Sequence, residues 1–200
     1  NASEGLAKTR GVFPGFKGSI YDKPARNATH SVAGGKGEIR PRNGARTTIA
    51  PTGTISLLAD CSSGIEPHFA LTYAKNTIEG KRLLNTNPFL LEALKESGLY
   101  SEELLTKIEE NHGSLHGLDE IPNKLRKTFV VAGDIAPSNH VRMAAAFQKF
   151  TDNGISKTIN FPADSTEDEG WKAYLRGWKL GLKGMTVYVT GSRSKVVLET

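Results

Sequence analysis

The chain has 200 residues, of which 38% are apolar and 24% charged, with a formal net charge of +5 at pH 7. That size holds one domain with its own core or a large piece of a bigger one, and the balance excludes a disordered chain. The apolar runs, such as residues 143–147, fall far short of the ~20 residues of a membrane span, and residues 1–10 lack a signal peptide's apolar segment, so a cytoplasmic chain without membrane partners is expected.

Residues 1–10 read as the end of a helix closed by Gly11, and residues 11–18 as an ordered loop with three Gly, one Pro and two Phe. Residues 17–46 form a basic, insertion-like stretch without apolar period. Residues 1–60 carry nine Lys/Arg against four Asp/Glu, whereas residues 61–200 carry 17 against 17, so the whole basic excess lies early. Such a stretch either attracts polyphosphate or nucleotide or is simply a solvated loop. After Phe16 only Tyr21 is aromatic there, which gives no stacking platform, and nucleic acid is not an expected partner.

Thr47-Thr48-Ile49-Ala50 is β-branched and short, a predicted strand, and Pro51-Thr52-Gly53-Thr54 turns it into a short helix over residues 55–59. Cys61, the only cysteine, excludes an internal disulfide or a CxxC site and reads as a small buried apolar residue. A strand pair is predicted from residue 69 to residue 84 around Glu79-Gly80, followed by helices over 88–97, 101–111 and 122–128. Ser101 with Glu102 and Glu103 suits a helix start. The last third predicts helix 138–151, strand 155–161, helix 166–181 and strand 185–190, with Thr166 and Glu169 as a capping box. Strand, helix and strand in that spacing make a βαβ unit with a parallel sheet, so the fold class is α/β, open sheet or barrel.

Three segments are candidates for chemistry. In Pro51, Thr52, Gly53, Thr54, Ile55 and Ser56, a glycine, three hydroxyls and the unpaired amides of a helix start have the chemistry of a phosphate cradle, without the lysine of a Walker loop. A hydroxyl-rich helix cap is the plainer alternative. Ser62-Ser63-Gly64-Ile65-Glu66-Pro67-His68 offers one carboxylate beside a proline-stiffened turn. Gly191-Ser192-Arg193 follows the last strand, where ligands of parallel sheets gather. His112 and His116 are four apart, but Gly113 lies between them and no third ligand is in view, so no metal site is expected.

Residues 47–56, the run Cys61-Ser62-Ser63-Gly64-Ile65-Glu66-Pro67, the run Asp152-Asn153-Gly154-Ile155-Ser156-Lys157-Thr158-Ile159-Asn160-Phe161-Pro162, and Gly181-Leu182-Lys183-Gly184-Met185-Thr186-Val187-Tyr188 together resemble class II, adenosylcobalamin-dependent ribonucleotide reductases. The resemblance runs in family order from Ala2 to Arg193. It implies one partial domain over residues 1–200, the C-terminal portion of a ten-stranded α/β barrel. It implies that the loop Pro51 to Ser56 binds substrate phosphates, di- or triphosphate, and that Ser63 and Tyr188 line the active site. Tyr188 falls on the first of two adjacent tyrosines in related reductases; the second position is Val189, which favours a cobalamin cofactor over a radical delivered along tyrosines.

The implied chemistry reduces ribonucleotides to 2′-deoxyribonucleotides through a thiyl radical, with a cysteine pair supplying electrons. No Asn-x-Cys-x-Glu pattern is present and Cys61 cannot fill three cysteine roles, so no catalytic residue is placed in this chain. The remainder of the reductase, or a second chain carrying that loop, and a thiol reductant such as thioredoxin are the implied partners. The alternative is a non-catalytic nucleotide-binding or assembly subunit of a split reductase. A piece of a barrel exposes apolar surface and strand edges, so the chain alone is expected to aggregate or require a partner, with sedimentation and calorimetry as the check.

Overall fold

The computed structural model describes residues 2–22, 39–59, 61–76 and 82–192. Lys23, Arg26 and Lys36 of the basic stretch, the expected turn at Glu79-Gly80, and Arg193 lie outside the described residues. Helix α1 (Ala2–Arg10) ends at Gly11, whose φ of 73° suits a glycine and whose N–H reaches Ala7 O at 2.9 Å. Arg42 closes that end, with Nη1 donating to Arg10 O and Val12 O at 3.3 and 3.1 Å. Arg40 stacks over the Phe16 ring at 4.8 Å. The described arginines of the basic stretch therefore serve local packing.

Arg46 makes a two-pronged ion pair with Asp152, Nε and Nη2 donating to the two carboxylate oxygens at 2.9 and 3.0 Å. Its backbone N–H adds a third bond to the same carboxylate at 2.9 Å, and the Tyr21 hydroxyl donates to it at 3.3 Å. The Arg46 hydrogen bond, opposed by partial burial, holds the Asp152 carboxyl below its ordinary value. These contacts pin residues 46–48 to the turn at residues 152–154; Asn153 N donates to Thr47 O and Thr48 Oγ1 to Gly154 O.

The first lobe is a hairpin and three helices. Strands β1 (Thr72–Asn76) and β2 (Arg82–Thr86) pair antiparallel, Thr72 opposite Thr86. Helix α3 (Pro88–Glu96) starts at Asn87, whose Oδ1 accepts from Phe89 N and Leu90 N, with Pro88 in the first turn where no N–H is missed. Ser101 caps α4 (Glu102–Glu110) by accepting from Leu104 N, and the short α5 (Asn123–Thr128) follows Pro122. Leu71, Leu90, Leu94, Leu104, Leu105, Ile108, Leu115, Ile121 and Val131 form its core. Helix α3 buries Leu90 and Leu94, whereas Phe89 is 70% exposed.

The second lobe is the predicted βαβ unit. Helix α6 (Pro137–Gln148) precedes strand β3 (Thr158–Phe161); helix α7 (Glu167–Lys179) crosses to strand β4 (Thr186–Val189), parallel to β3 with Asn160 opposite Tyr188. The Thr166–Glu169 capping box forms in both directions. Val141 of α6, Ile159 and Phe161 of β3 and Ala173 of α7 make the core, joined by Val187 and Val189. Thr158, Asn160, Thr186 and Tyr188 thus share the other face of the strand pair. The strand predicted at 47–50 is reduced to one parallel bridge, Ile49 to Ile155. Pro51 has no N–H and Thr52 turns left-handed, so the ladder cannot run on. The described strands make two two-stranded sheets and no closed barrel.

Gly113 is where the first lobe closes most tightly. Its O accepts from Leu71 N at 2.9 Å, its φ is 70°, and a Cβ there would lie 2.4 Å from Ala70 Cβ and 2.8 Å from Thr72 O. Left-handed strain and overpacking add, so Gly113→Ala is expected to destabilise the fold by about 2–4 kcal/mol, read as a lower urea midpoint at unchanged slope.

Candidate functional site

Helix α2 (Gly53–Leu58) starts two residues earlier than predicted, because Gly53 and Thr54 already turn helically after Thr52. Thr52 has φ 53° and ψ 25°, left-handed, an unusual state for a β-branched residue that costs on the order of 1–3 kcal/mol. Something must hold it, and the hydroxyls show what. Ser63 Oγ donates to Pro51 O, and its single proton is then committed. Thr52 Oγ1, 3.3 Å from Ser63 Oγ, is therefore the donor in that contact. Ser56, buried, donates its hydroxyl to Gly53 O at 2.7 Å.

Two of the three hydroxyls expected to face a ligand are thus turned inward. Thr52 makes no side-chain cap, so the first-turn amides of Gly53, Thr54 and Ile55 precede the intrahelical ladder with no side chain of the capping residue on them. Thr54 and Ile55 are exposed, and a Cβ on Gly53 would meet no atom within 4 Å. The surface of the loop is an open shelf of backbone N–H groups and one outward hydroxyl. Gly64, with φ 56°, backs the shelf; a Cβ there would come within 3.2 Å of Ala50 O.

Behind this loop lies a buried charge cluster built from Glu66, His140 and Lys157. The Lys157 side chain is 2% exposed, and its Nζ donates to Glu66 Oε2 at 2.5 Å, to His140 Nδ1 at 2.9 Å and to Thr158 O at 2.5 Å. Three acceptors meet the three protons of an ammonium. The second Glu66 oxygen accepts from Thr158 N at 2.5 Å. His140 Nε2 lies 3.1 Å from Ala132 O, which can only accept, so Nε2 carries the proton and Nδ1 is free to accept from Lys157. The imidazole is neutral. Burial first, and the Lys157 charge second, push its pKa below the ordinary 6.5.

Tyr188 is half-buried on the helix-free face of β4, opposite Asn160, and Ser63 is in the turn that clamps Pro51 and Thr52. At the β4 end, Thr190 N donates to Phe161 O and Ser192 N to Val189 O, closing a tight loop through Gly191. Cys61 is exposed rather than buried, because it follows the protruding end of α2. His112 and His116 share no helix face: α4 ends at Glu110 and His112 itself is left-handed, with φ 56°. His140 and Lys157 were not singled out from the residue pattern. Yet Ile155, Lys157, Ile159 and Phe161 alternate on one face, and a lysine in that row marks a buried charge needing a carboxylate.

The family profile described as "Ribonucleotide reductase, barrel domain" matches residues 1–188. The chain belongs to the ribonucleotide reductase family. It is 43% identical over 98% of its length to a vitamin B12-dependent ribonucleoside-diphosphate reductase of Thermoplasma acidophilum, and covers 24% of that protein. A protein of the same description from Mycobacterium tuberculosis is 39% identical over 100% of this chain, which covers 26% of it. The alpha subunit of the Actinobacillus ureae class Id ribonucleotide reductase superposes with a TM-score of 0.69 at 27% identity, over 95% of this chain and 31% of that one. The chain therefore spans about a quarter of the curated relatives it matches, and what the structure presents is part of a reductase barrel.

His140 and Asp152 set a pH dependence. His140 and Asp152 have folded pKa values below their ordinary 6.5 and 3.8, so the unfolded chain binds more protons as pH falls. Stability is expected to be whole above pH 6.5, to decline first below 6.5 as His140 is forced to charge, and to decline again below 3.8. Urea midpoints measured across pH should show both descents, and His140→Asn should remove the first alone.

Proposed function

We propose that this chain is part of a cobalamin-dependent ribonucleoside-diphosphate reductase and contributes the loop that holds the substrate's phosphates. The observation that carries the reading is the 43% identity over 98% of the chain to a relative of that name. The loop Pro51, Thr52, Gly53, Thr54, Ile55 and Ser56 supports it: a phosphate laid on the first-turn amides meets unpaired donors, partial positive charge and the Thr54 hydroxyl, with Gly53 allowing close approach. A diphosphate is the substrate that the relatives' names favour.

Tyr188, Thr158, Asn160 and Thr186 present hydroxyls and an amide on the helix-free strand face, and we assign that face, with Ser63 at the neighbouring turn, to lining the substrate pocket. These polar groups suit ribose hydroxyls rather than a corrin ring, so no cobalamin contact is assigned among the described residues. Val189 beside Tyr188 packs into the apolar cluster, which leaves no adjacent aromatic and favours a radical made locally. A cobalamin cofactor bound by other parts of such a reductase would supply that radical. The chain's own task is to bind and orient the nucleotide. The radical cysteine, the reducing pair and a thiol reductant such as thioredoxin come from outside these residues, whose only thiol is the exposed Cys61.

Gly53→Ala tests the loop. Because its methyl meets nothing in the protein, the melting temperature should hold, while the affinity for a nucleoside diphosphate should fall about tenfold or more, ~1.4 kcal/mol or above. Titration calorimetry on the intact protein decides it; unchanged affinity would remove the loop from the binding site.

A further inference from the structure

The Glu66–Lys157–His140 cluster has no part in the reading above, although its position bears directly on the loop. Lys157 is withdrawn from water here and Glu66 is half-buried, and burying an ion pair is an expensive way to gain stability, since a well-packed apolar pair of the same volume often does as well. What such a pair does well is fix one arrangement among several. The route from the pair to the loop is short and continuous. Glu66 N donates to Ser63 O at 2.8 Å, closing the four-residue turn that carries Ser63 and Gly64. Ser63 Oγ holds Pro51 O, Thr52 Oγ1 holds Ser63 Oγ, and Gly64 packs beneath Ala50 O. Both carboxylate oxygens of Glu66 are anchored on Lys157 and Thr158, at the entry to β3. The approach to the loop is fixed on the same stretch, where Ser156 N donates to Ile49 O at 2.9 Å.

We propose that Glu66 and Lys157 are positioning residues for the 51–56 loop: through the Ser63 turn they keep Thr52 left-handed and aim the amides of residues 53–55 at the phosphates. The proposal rests on reading that loop as the phosphate site. His140 completes the device from α6. As the neutral acceptor of the third Lys157 proton it sets the ammonium where Glu66 can reach it. The strain at Thr52 explains why such a device is needed: a left-handed threonine relaxes unless its surroundings over-determine it.

The test uses the intact protein, with inorganic pyrophosphate as probe and amide hydrogen exchange of residues 53–56 as a readout that needs no ligand. Glu66→Gln and Ser63→Ala are compared singly and together. Each single variant should weaken pyrophosphate binding about tenfold and speed exchange across 53–56. The double variant should be no worse than the stronger single, because both act through one turn. Additive losses, or a lower melting temperature with unchanged loop exchange, would overturn the proposal and leave the pair a purely structural feature. Ser63→Ala keeps the buried pair intact, so should Glu66→Gln not fold, unaltered loop exchange in Ser63→Ala alone still overturns it. A wild-type protein that ignores pyrophosphate while exchange responds as expected would instead refute the phosphate reading and retain the positioning role.

Discussion

The arrangement of this chain depends on one buried ammonium. Lys157 sits at the entry to β3, where strand alternation turns it inward with Ile155 and Ile159. A lysine in that row tolerates burial only if every proton has an acceptor and the charge a partner. Each acceptor comes from a different place: a carboxylate from the turn after the loop, an imidazole from α6, and a carbonyl from the strand itself. Satisfying one side chain therefore fixes three segments relative to one another. His140 extends the bond to Ala132 O, and Ala132 N reaches His68 O, so the linkage runs on into the first lobe.

The two lobes are built on different terms. The hairpin and α3 to α5 enclose a leucine-rich core, with helix ends closed by Asn87 and Ser101. The βαβ unit has a smaller core on one strand face only and leaves the polar face uncovered by its own helices. The loop of residues 51–56 belongs to neither core. Polar bonds fix its backbone, through Ser63 on Pro51 O and Ser56 on Gly53 O.

The helices and the βαβ order were legible because they rest on local signals: the leucine spacing of α3 and α4, the Thr166–Glu169 box, the alternation of Ile159 and Phe161. The turn of residues 51–56 into a short helix was legible from their composition, but not which hydroxyls face outward, since that depends on Ser63 twelve residues after Pro51 choosing a carbonyl partner. The 47–50 strand was over-read because β-branched residues state a preference and say nothing of a neighbour's register. The role of the early arginines was hidden as well. Arg42 and Arg46 have partners 25 to 106 positions away, a separation no local pattern can express. Cys61 misled for the same reason: thiol burial is a statistical tendency, overruled by a short helix that protrudes.

The outer face of α7 carries Trp171, Tyr174, Leu175 and Trp178 at helical spacing, all exposed, with Trp171 at 67% and Trp178 at 74%. These are the chain's only two tryptophans. Its tryptophan fluorescence consequently originates from one side of one helix, outside the leucine core. Emission from this chain is an optical gauge of what lies against that helix, with a red-edge maximum when water does and a blue shift when protein does. It is nearly silent about whether the first lobe has melted, for which circular dichroism is the better instrument.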